Sequence, residues 1–194
     1  MRIIAGAFKG RQISAVKGDN TRPTTDKVKE NIFNILGQFF DGGHVLDLFA
    51  GSGNLGIEAL SRGMDHAIFV DMNFEAIKII KENIARLQLQ DRTEVYRNDA
   101  FKALKVLGKK GSKFDLIFLD PPYGKISMTH LLEEIMDYEL LNDEGLIVCE
   151  YGEGIDVSYD ESLLREVRCE VYGTIEILIL EKVAGDNIFA KSKN

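Results

Sequence analysis

From His44 onward, short apolar runs alternate with stretches in which apolar residues recur at helical spacing. The runs 44–49, 67–71, 93–98, 114–120 and 146–151 predict strands, and 54–62, 73–88, 100–107 and 127–137 predict helices. In Phe114-Asp115-Leu116-Ile117-Phe118-Leu119 apolar residues fall on both faces of the strand, as expected of a parallel strand covered by helices on both sides. The expected fold is therefore α/β, a doubly wound and mostly parallel sheet. The end of the chain breaks the alternation. Residues 167–172 and 175–182 are β-rich and joined only by Gly173-Thr174, a spacing that predicts an antiparallel hairpin.

Ahead of this domain, Arg2 to Val16 holds two short apolar runs around a basic, glycine-containing middle and reads as a hairpin. Val28, Ile32, Ile35, Leu36 and Phe39 then recur at helical spacing, with Pro23 and the threonines after it as start signals. The expected organisation is a hairpin and helix over 1–40, the main domain over 41–183 and a polar tail over 184–194.

Composition narrows the class. The chain has 194 residues, 45% hydrophobic and 28% charged, which fits one folded domain with a sizeable core. No apolar run approaches the roughly 20 residues of a membrane span, and the N-terminus meets Lys9 and Arg11 before any signal-peptide-like stretch. A cytoplasmic location is expected. Cys149, Cys169, His44, His66 and His130 show no metal-binding spacing, so no metal is expected.

The net charge of −7 argues at first against a polyanionic partner, but its distribution changes the picture. Residues 1–29 hold seven Lys and Arg against Asp19 and Asp26, or +5, leaving −12 for residues 30–194. A basic N-terminal segment precedes an acidic body. It is either a solvated face or a contact for phosphates.

In open α/β sheets, ligands bind beyond the carboxyl ends of the strands. Those ends carry polar residues here. The first leads through Asp47 into Ala50-Gly51-Ser52-Gly53-Asn54-Leu55-Gly56, the second ends in Asp71-Met72, and the third in Asn98-Asp99-Ala100. Gly51, Gly53 and Gly56 match GxGxxG, and Asp71 stands 20 residues past the first of them, the spacing of a ribose-binding acid in dinucleotide enzymes. A nicotinamide or flavin oxidoreductase therefore competes with a cofactor that carries an amino acid ammonium, for which Asp47 would be the acceptor. Asp99 would serve equally as a helix cap.

The fourth strand ends in Asp120-Pro121-Pro122-Tyr123. Two prolines fix the backbone and remove donors. The Asp120 carboxylate and the Pro121 carbonyl can then accept both N–H bonds of an exocyclic amine whose flat ring stacks on Tyr123. An amine held this way presents its lone pair to an electrophile, and catalysis rests on positioning and electrostatic preorganisation. The same four residues would also make a rigid turn. Guanine N2 and adenine N6 suit such a corner equally.

These residues resemble the class I S-adenosylmethionine-dependent methyltransferases that act on exocyclic amines through an (Asp or Asn)-Pro-Pro-(Tyr, Phe or Trp) motif. Arg2-Ile3-Ile4-Ala5-Gly6, Lys9-Gly10-Arg11, Arg22-Pro23-Thr24-Thr25-Asp26, Leu46 to Gly53 and Glu58 to Gly63 resemble, within that class, the RsmD-type 16S ribosomal RNA guanine-N2 methyltransferases. The resemblance implies a seven-stranded Rossmann-like sheet and S-adenosyl-L-methionine as cofactor. It implies catalysis at Asp120, Pro121, Pro122 and Tyr123, with the methionine part of the cofactor along Asp47, Ala50, Gly51 and Gly53. Asp71 would bind its ribose, and Met72, Asp99 and Ala100 its adenine. The implied partner is 16S ribosomal RNA within a small-subunit particle, with a monomer favoured, and Arg2, Lys9, Arg11, Arg22 and Lys27 are the candidate phosphate contacts. An adenine-N6 DNA methyltransferase and an inactive assembly factor are the other readings, and Asn54 is a minor departure in the glycine loop.

Overall fold

The both-sided apolar character of residues 114–119 is explained by their position at the middle of a sheet. The computed structural model describes residues 1–16, 25–122 and 124–184. The strands are β1 (His44–Asp47), β2 (His66–Asp71), β3 (Thr93–Arg97), β4 (Phe114–Leu119), β5 (Leu141–Gly152), β6 (Leu164–Tyr172) and β7 (Ile175–Lys182). They form one sheet in the order β3-β2-β1-β4-β5-β7-β6. Pairing is parallel from β3 to β5, and β7 runs antiparallel to both β5 and β6. The expected doubly wound α/β sheet with its antiparallel C-terminal hairpin is what the chain adopts. Strand order reverses between β1 and β4, which opens a crevice beyond their carboxyl ends.

Among the described residues five α-helices cover the faces: α1 (Asp26–Leu36), α2 (Asn54–Ser61), α3 (Phe74–Leu87), α4 (Ala100–Lys109) and α5 (Met128–Asp137). One face packs Phe33, Ile57, Leu60, Ile80 and Ile84 of α1, α2 and α3 on Val45, Phe69 and Phe118. The other packs Leu104 and Leu107 of α4 and Leu131 and Ile135 of α5 on Leu46, Ile117 and Ile147. Helix starts are capped by side chains: Thr25, Asn73, Asp99 and Ser127 each accept a backbone N–H from the first turn. Pro23, expected as a start signal, lies outside the described residues, as does most of the polar tail.

Several details depart from the expected elements: α1 stops at Leu36, leaving Phe39 beyond it and exposed, and β6 begins at Leu164 rather than 167. The N-terminal hairpin is reduced to a single antiparallel bridge between Arg2 and Gln12. Ile3, Gly10 and Ile13 still donate across it, but four other donors go to α2: Ile4 and Ala5 give their N–H groups to Glu58, while Ala7 and Phe8 give theirs to Ser61. Ile3 and Ile13 join Val28 and Phe33 in the main core, so the segment and α1 are packed into the same body as the sheet. In addition, β5 begins at Leu141 rather than 146, because Leu141 pairs with Phe114 across a register shift. Asn142-Asp143-Glu144-Gly145 had the composition of a turn, and Glu144 does take φ +61.

Candidate active site

β1 stops at Asp47, and the chain turns into α2 through Gly51 and Gly53, with φ +55 and +79. Left-handed backbone at both positions is what glycine supplies without strain. Asp47 Oδ2 accepts the Gly56 N–H at 3.0 Å. Gly56 is required there, since a Cβ would lie 2.4 Å from Phe69 Cε1. Burial pushes the Asp47 carboxyl up to about 7; the Gly56 hydrogen bond opposes the rise and the nearby Asp71 charge adds to it.

Asp71, at the end of β2, accepts the Gly51 N–H at 2.9 Å on Oδ2 and the Asn73 N–H at 2.8 Å on Oδ1. The glycine loop therefore spends two of its amides on carboxylates. A dinucleotide pyrophosphate would need such amides for itself and would meet Asp47, Asp71 and Asp120 on the cavity wall. Three acids on the wall weigh against the oxidoreductase reading.

Asp120 follows β4, and its carboxyl is raised well above the usual carboxylate range by burial, then by the charges of Glu150 and Asp47. Pro121 is buried and Pro122 exposed, and the Lys125 N–H closes the corner on the Pro122 carbonyl at 3.3 Å. These strand ends open onto one cavity of about 660 Å³. Asp47, Ala50, Gly51, Asp71, Met72 and Ala100 form part of its wall, and Asp120, Pro121 and Pro122 stand on it too.

Two expected cofactor contacts are not on that wall. Gly53 faces Ile57, Phe69 and Ile80 and serves the turn. Asp99 caps α4 by accepting the Lys102 N–H at 3.1 Å, while its neighbours Asn98 and Ala100 reach the cavity. Tyr123 and Arg22 lie outside the described residues. Met1, Ala15, Val16, Lys125 and Ile126 also line the cavity. No local signal marked the first three, because the N-terminal loop is brought to the site by residues far away in sequence: Asn83 accepts the Ser14 N–H and donates to the Ser14 and Ser52 carbonyls, Arg86 donates to the Ser14 hydroxyl, and Lys29 bridges the Arg2 carbonyl and Asn54 Oδ1.

The basic candidates are spread out. Arg2 pairs with Asp26 at 3.1 Å, Arg11 lies over the Phe8 ring, and Lys27 is exposed on the first turn of α1. Lys9 sits at the loop tip, which is fastened to Ser61 at the end of α2 remote from the glycine loop, about 12 Å along an eight-residue helix. Sequence reasoning also passed over a buried cluster: Glu58 contacts Lys29 Nζ at 3.1 Å and Arg62 Nε at 2.8 Å. Lys29 in turn donates to Asn54 Oδ1, which explains the asparagine in the glycine loop.

Residues 1–181 match the family described as Conserved hypothetical protein 95. The chain belongs to that family, the RsmD family. It is 50% identical over 182 residues to YlbH of Bacillus subtilis, covering 94% of this chain and 99% of the relative. It is 35% identical over 150 residues to ribosomal RNA small subunit methyltransferase D of Escherichia coli K12, covering 77% and 74% of the two chains. Among solved structures, yhhF of Escherichia coli superposes with a TM-score of 0.82 at 30% identity, over 95% of this chain and 98% of its own. The fold is also that of SMU.776, solved in complex with SAH, with a TM-score of 0.65 at 16% identity over 80% and 49% of the chains. Among the described residues of this RsmD-family protein no helix is long and apolar enough to cross a membrane, and no cluster of three potential metal ligands occurs.

Proposed function

We propose that this protein transfers a methyl group from S-adenosylmethionine to the exocyclic N2 amine of a guanine in 16S ribosomal RNA of the small subunit. The observation that carries the reading is a single cavity in which the acceptor corner of Asp120 and Pro121 faces the carboxylates of Asp47 and Asp71, in a chain of the RsmD family. Its volume of about 660 Å³ lies within the roughly 300–1,000 Å³ of small-molecule sites. The donor set suits the cofactor: Asp47 would hold the methionine ammonium, Asp71 the ribose hydroxyls, and Met72 and Ala100 the flat adenine. When bound, S-adenosylmethionine supplies an electrophilic methyl group on a sulfonium.

The protein's own work is to hold the amine. The Asp120 carboxylate and the Pro121 carbonyl accept its two N–H bonds, and neither proline has an N–H that would compete. The lone pair is thereby kept off the ring and directed into the cavity. Burial with Glu150 and Asp47 nearby also makes Asp120 more basic than a solvated carboxylate, fitting it to take the proton the amine sheds after transfer. The target base must leave its stack to enter, which costs a few kcal/mol and least in a loop.

The test is transfer of labelled methyl to unmodified small subunits, naked ribosomal RNA and duplex DNA in parallel, followed by nucleoside analysis. N2-methylguanosine in the ribosomal samples is expected. N6-methyladenine in DNA would overturn the substrate, and no transfer to any acceptor would overturn the reaction.

The Asp47 assignment has its own consequence. With its carboxyl at about 7 in the free protein, an ammonium-bearing ligand must first meet a deprotonated acid, so ligand binding and proton release are linked. S-adenosylhomocysteine should bind more tightly as pH rises from about 6 to 8, and Asp47→Asn should flatten that dependence. Titration calorimetry at several pH values decides it: an unchanged pH profile in the variant would remove Asp47 from the ammonium.

A further inference from the structure

Charge in this chain is sorted by position in the sheet. Residues 72–113, which supply α3, β3 and α4 at the β3 edge, hold ten Lys and Arg against five Asp and Glu. Residues 114–184, which supply β4, α5 and the β5-β7-β6 side, hold four against seventeen. The total of −7 therefore hides one basic and one acidic flank.

On α4 the helix repeat concentrates the basic flank into a stripe. Ala100, Ala103, Leu104 and Leu107 turn to the core, so Lys102, Lys105 and Lys109 share the opposite, exposed face. Among the described residues none of the three side chains makes an ion pair or hydrogen bond. Like charges three, four and seven positions apart on a helix repel one another, and an anion lying along the row would relieve that repulsion.

The stripe also meets the cavity. Ala100, the first residue of α4, is on the cavity wall, as is Met72. Arg97 Nε donates to the Met72 carbonyl at 3.1 Å, and its guanidinium lies over the Phe74 ring at 5.9 Å. Phe74 is 60% exposed and Met72 63%, unusual openness for such side chains beside a site. An exposed ring next to a guanidinium is a surface on which unstacked bases settle.

We infer that the α4 face of Lys102, Lys105 and Lys109 holds the phosphate backbone of the RNA whose target guanine enters the cavity beside it. The inference rests on the RNA substrate proposed above. It gives the RNA a path across the β3 edge and leaves the acidic β5-β7-β6 side turned away from it.

The test compares wild type, the triple variant K102Q/K105Q/K109Q, and R165Q/R168Q as a control that removes two cations from β6 on the acidic flank. Glutamine keeps the helix propensity of lysine. Binding to a small-subunit ribosomal RNA fragment is measured against salt, alongside S-adenosylhomocysteine affinity and methyl-transfer kinetics. In the triple variant the slope of log K against log salt should fall by about 2 to 3, with KM for RNA up about tenfold or more at low salt. Its kcat and S-adenosylhomocysteine affinity should stay at wild-type values, and the control should bind as wild type does. An unchanged slope in the triple variant, or an equal loss in the control, would overturn the surface while leaving the reaction intact. Wild-type protein that binds RNA through these lysines yet methylates none would overturn the reaction and keep the surface. Wild-type protein without salt-dependent RNA binding would overturn both.

Discussion

Replacing Asp120 with alanine should lower kcat for methyl transfer by about 100-fold or more, the scale of losing one preorganised polar contact at a reacting group. S-adenosylhomocysteine should still raise the melting temperature of this variant, because Asp47 and Asp71, the proposed ligand contacts, are untouched. Asp120→Asn separates the carbonyl acceptor from the charge. It keeps an oxygen for the amine N–H and should retain much more activity than the alanine variant if positioning dominates. The stability effect runs the other way. Folding raises the Asp120 pKa, so the native state binds more protons than the unfolded chain between the two pKa values, and stability falls as pH rises through that window. Asp120→Asn should therefore gain stability over wild type at pH 8, with the gain shrinking toward pH 4. Stopped assays with melting curves at both pH values check the two halves together. Wild-type turnover in the alanine variant would remove Asp120 from the mechanism.

The sheet was legible because its signals are local. Phe114 to Leu119 is apolar on both faces since β4 lies between β1 and β5 with helices above and below. Parallel topology points to the carboxyl ends of the strands as the candidate site, and so Asp47, Asp71 and Asp120 are recognisable in the sequence as strand-end residues. Contacts between segments distant in sequence leave no such trace. Lys29 was summed with the exposed basic residues of the N-terminal segment, yet Glu58, 29 positions later, draws it fully into the core. Asp99 showed the residue type of both a ligand contact and a cap, and the first turn of α4 claims it. The lysines of α4 were hidden by arithmetic: summed over residues 30–194 they vanish into −12, and only the order of strands separates them from the acids of the other flank.

Loss of Glu58 should be the most damaging single change to the fold. Its Oε1 accepts the Ala5 N–H at 3.0 Å and contacts Arg62 Nε at 2.8 Å; its Oε2 accepts the Ile4 N–H at 2.9 Å and contacts Lys29 Nζ at 3.1 Å. All three charged side chains are buried, and burial holds the Lys29 pKa below its ordinary value despite the pull of Glu58. Glu58→Ala strands two cations and two backbone donors at once. Breaking a buried pair from one side costs about 3–5 kcal/mol, a large part of the roughly 5–15 kcal/mol that holds a domain folded. Removing Lys29 instead leaves one carboxylate facing one guanidinium, so Lys29→Met should cost much less, although Arg2 O and Asn54 Oδ1 each lose a donor. Urea midpoints at constant slope measure both. Because Met1 and Asn54 line the cavity, the surviving folded fraction of Glu58→Ala should also bind S-adenosylhomocysteine more weakly. A loss below about 1 kcal/mol, no more than the net worth of one hydrogen bond, would mean that Ile3, Ile13 and the Ser61 hydrogen bonds hold the N-terminal loop to α2 without help from Glu58.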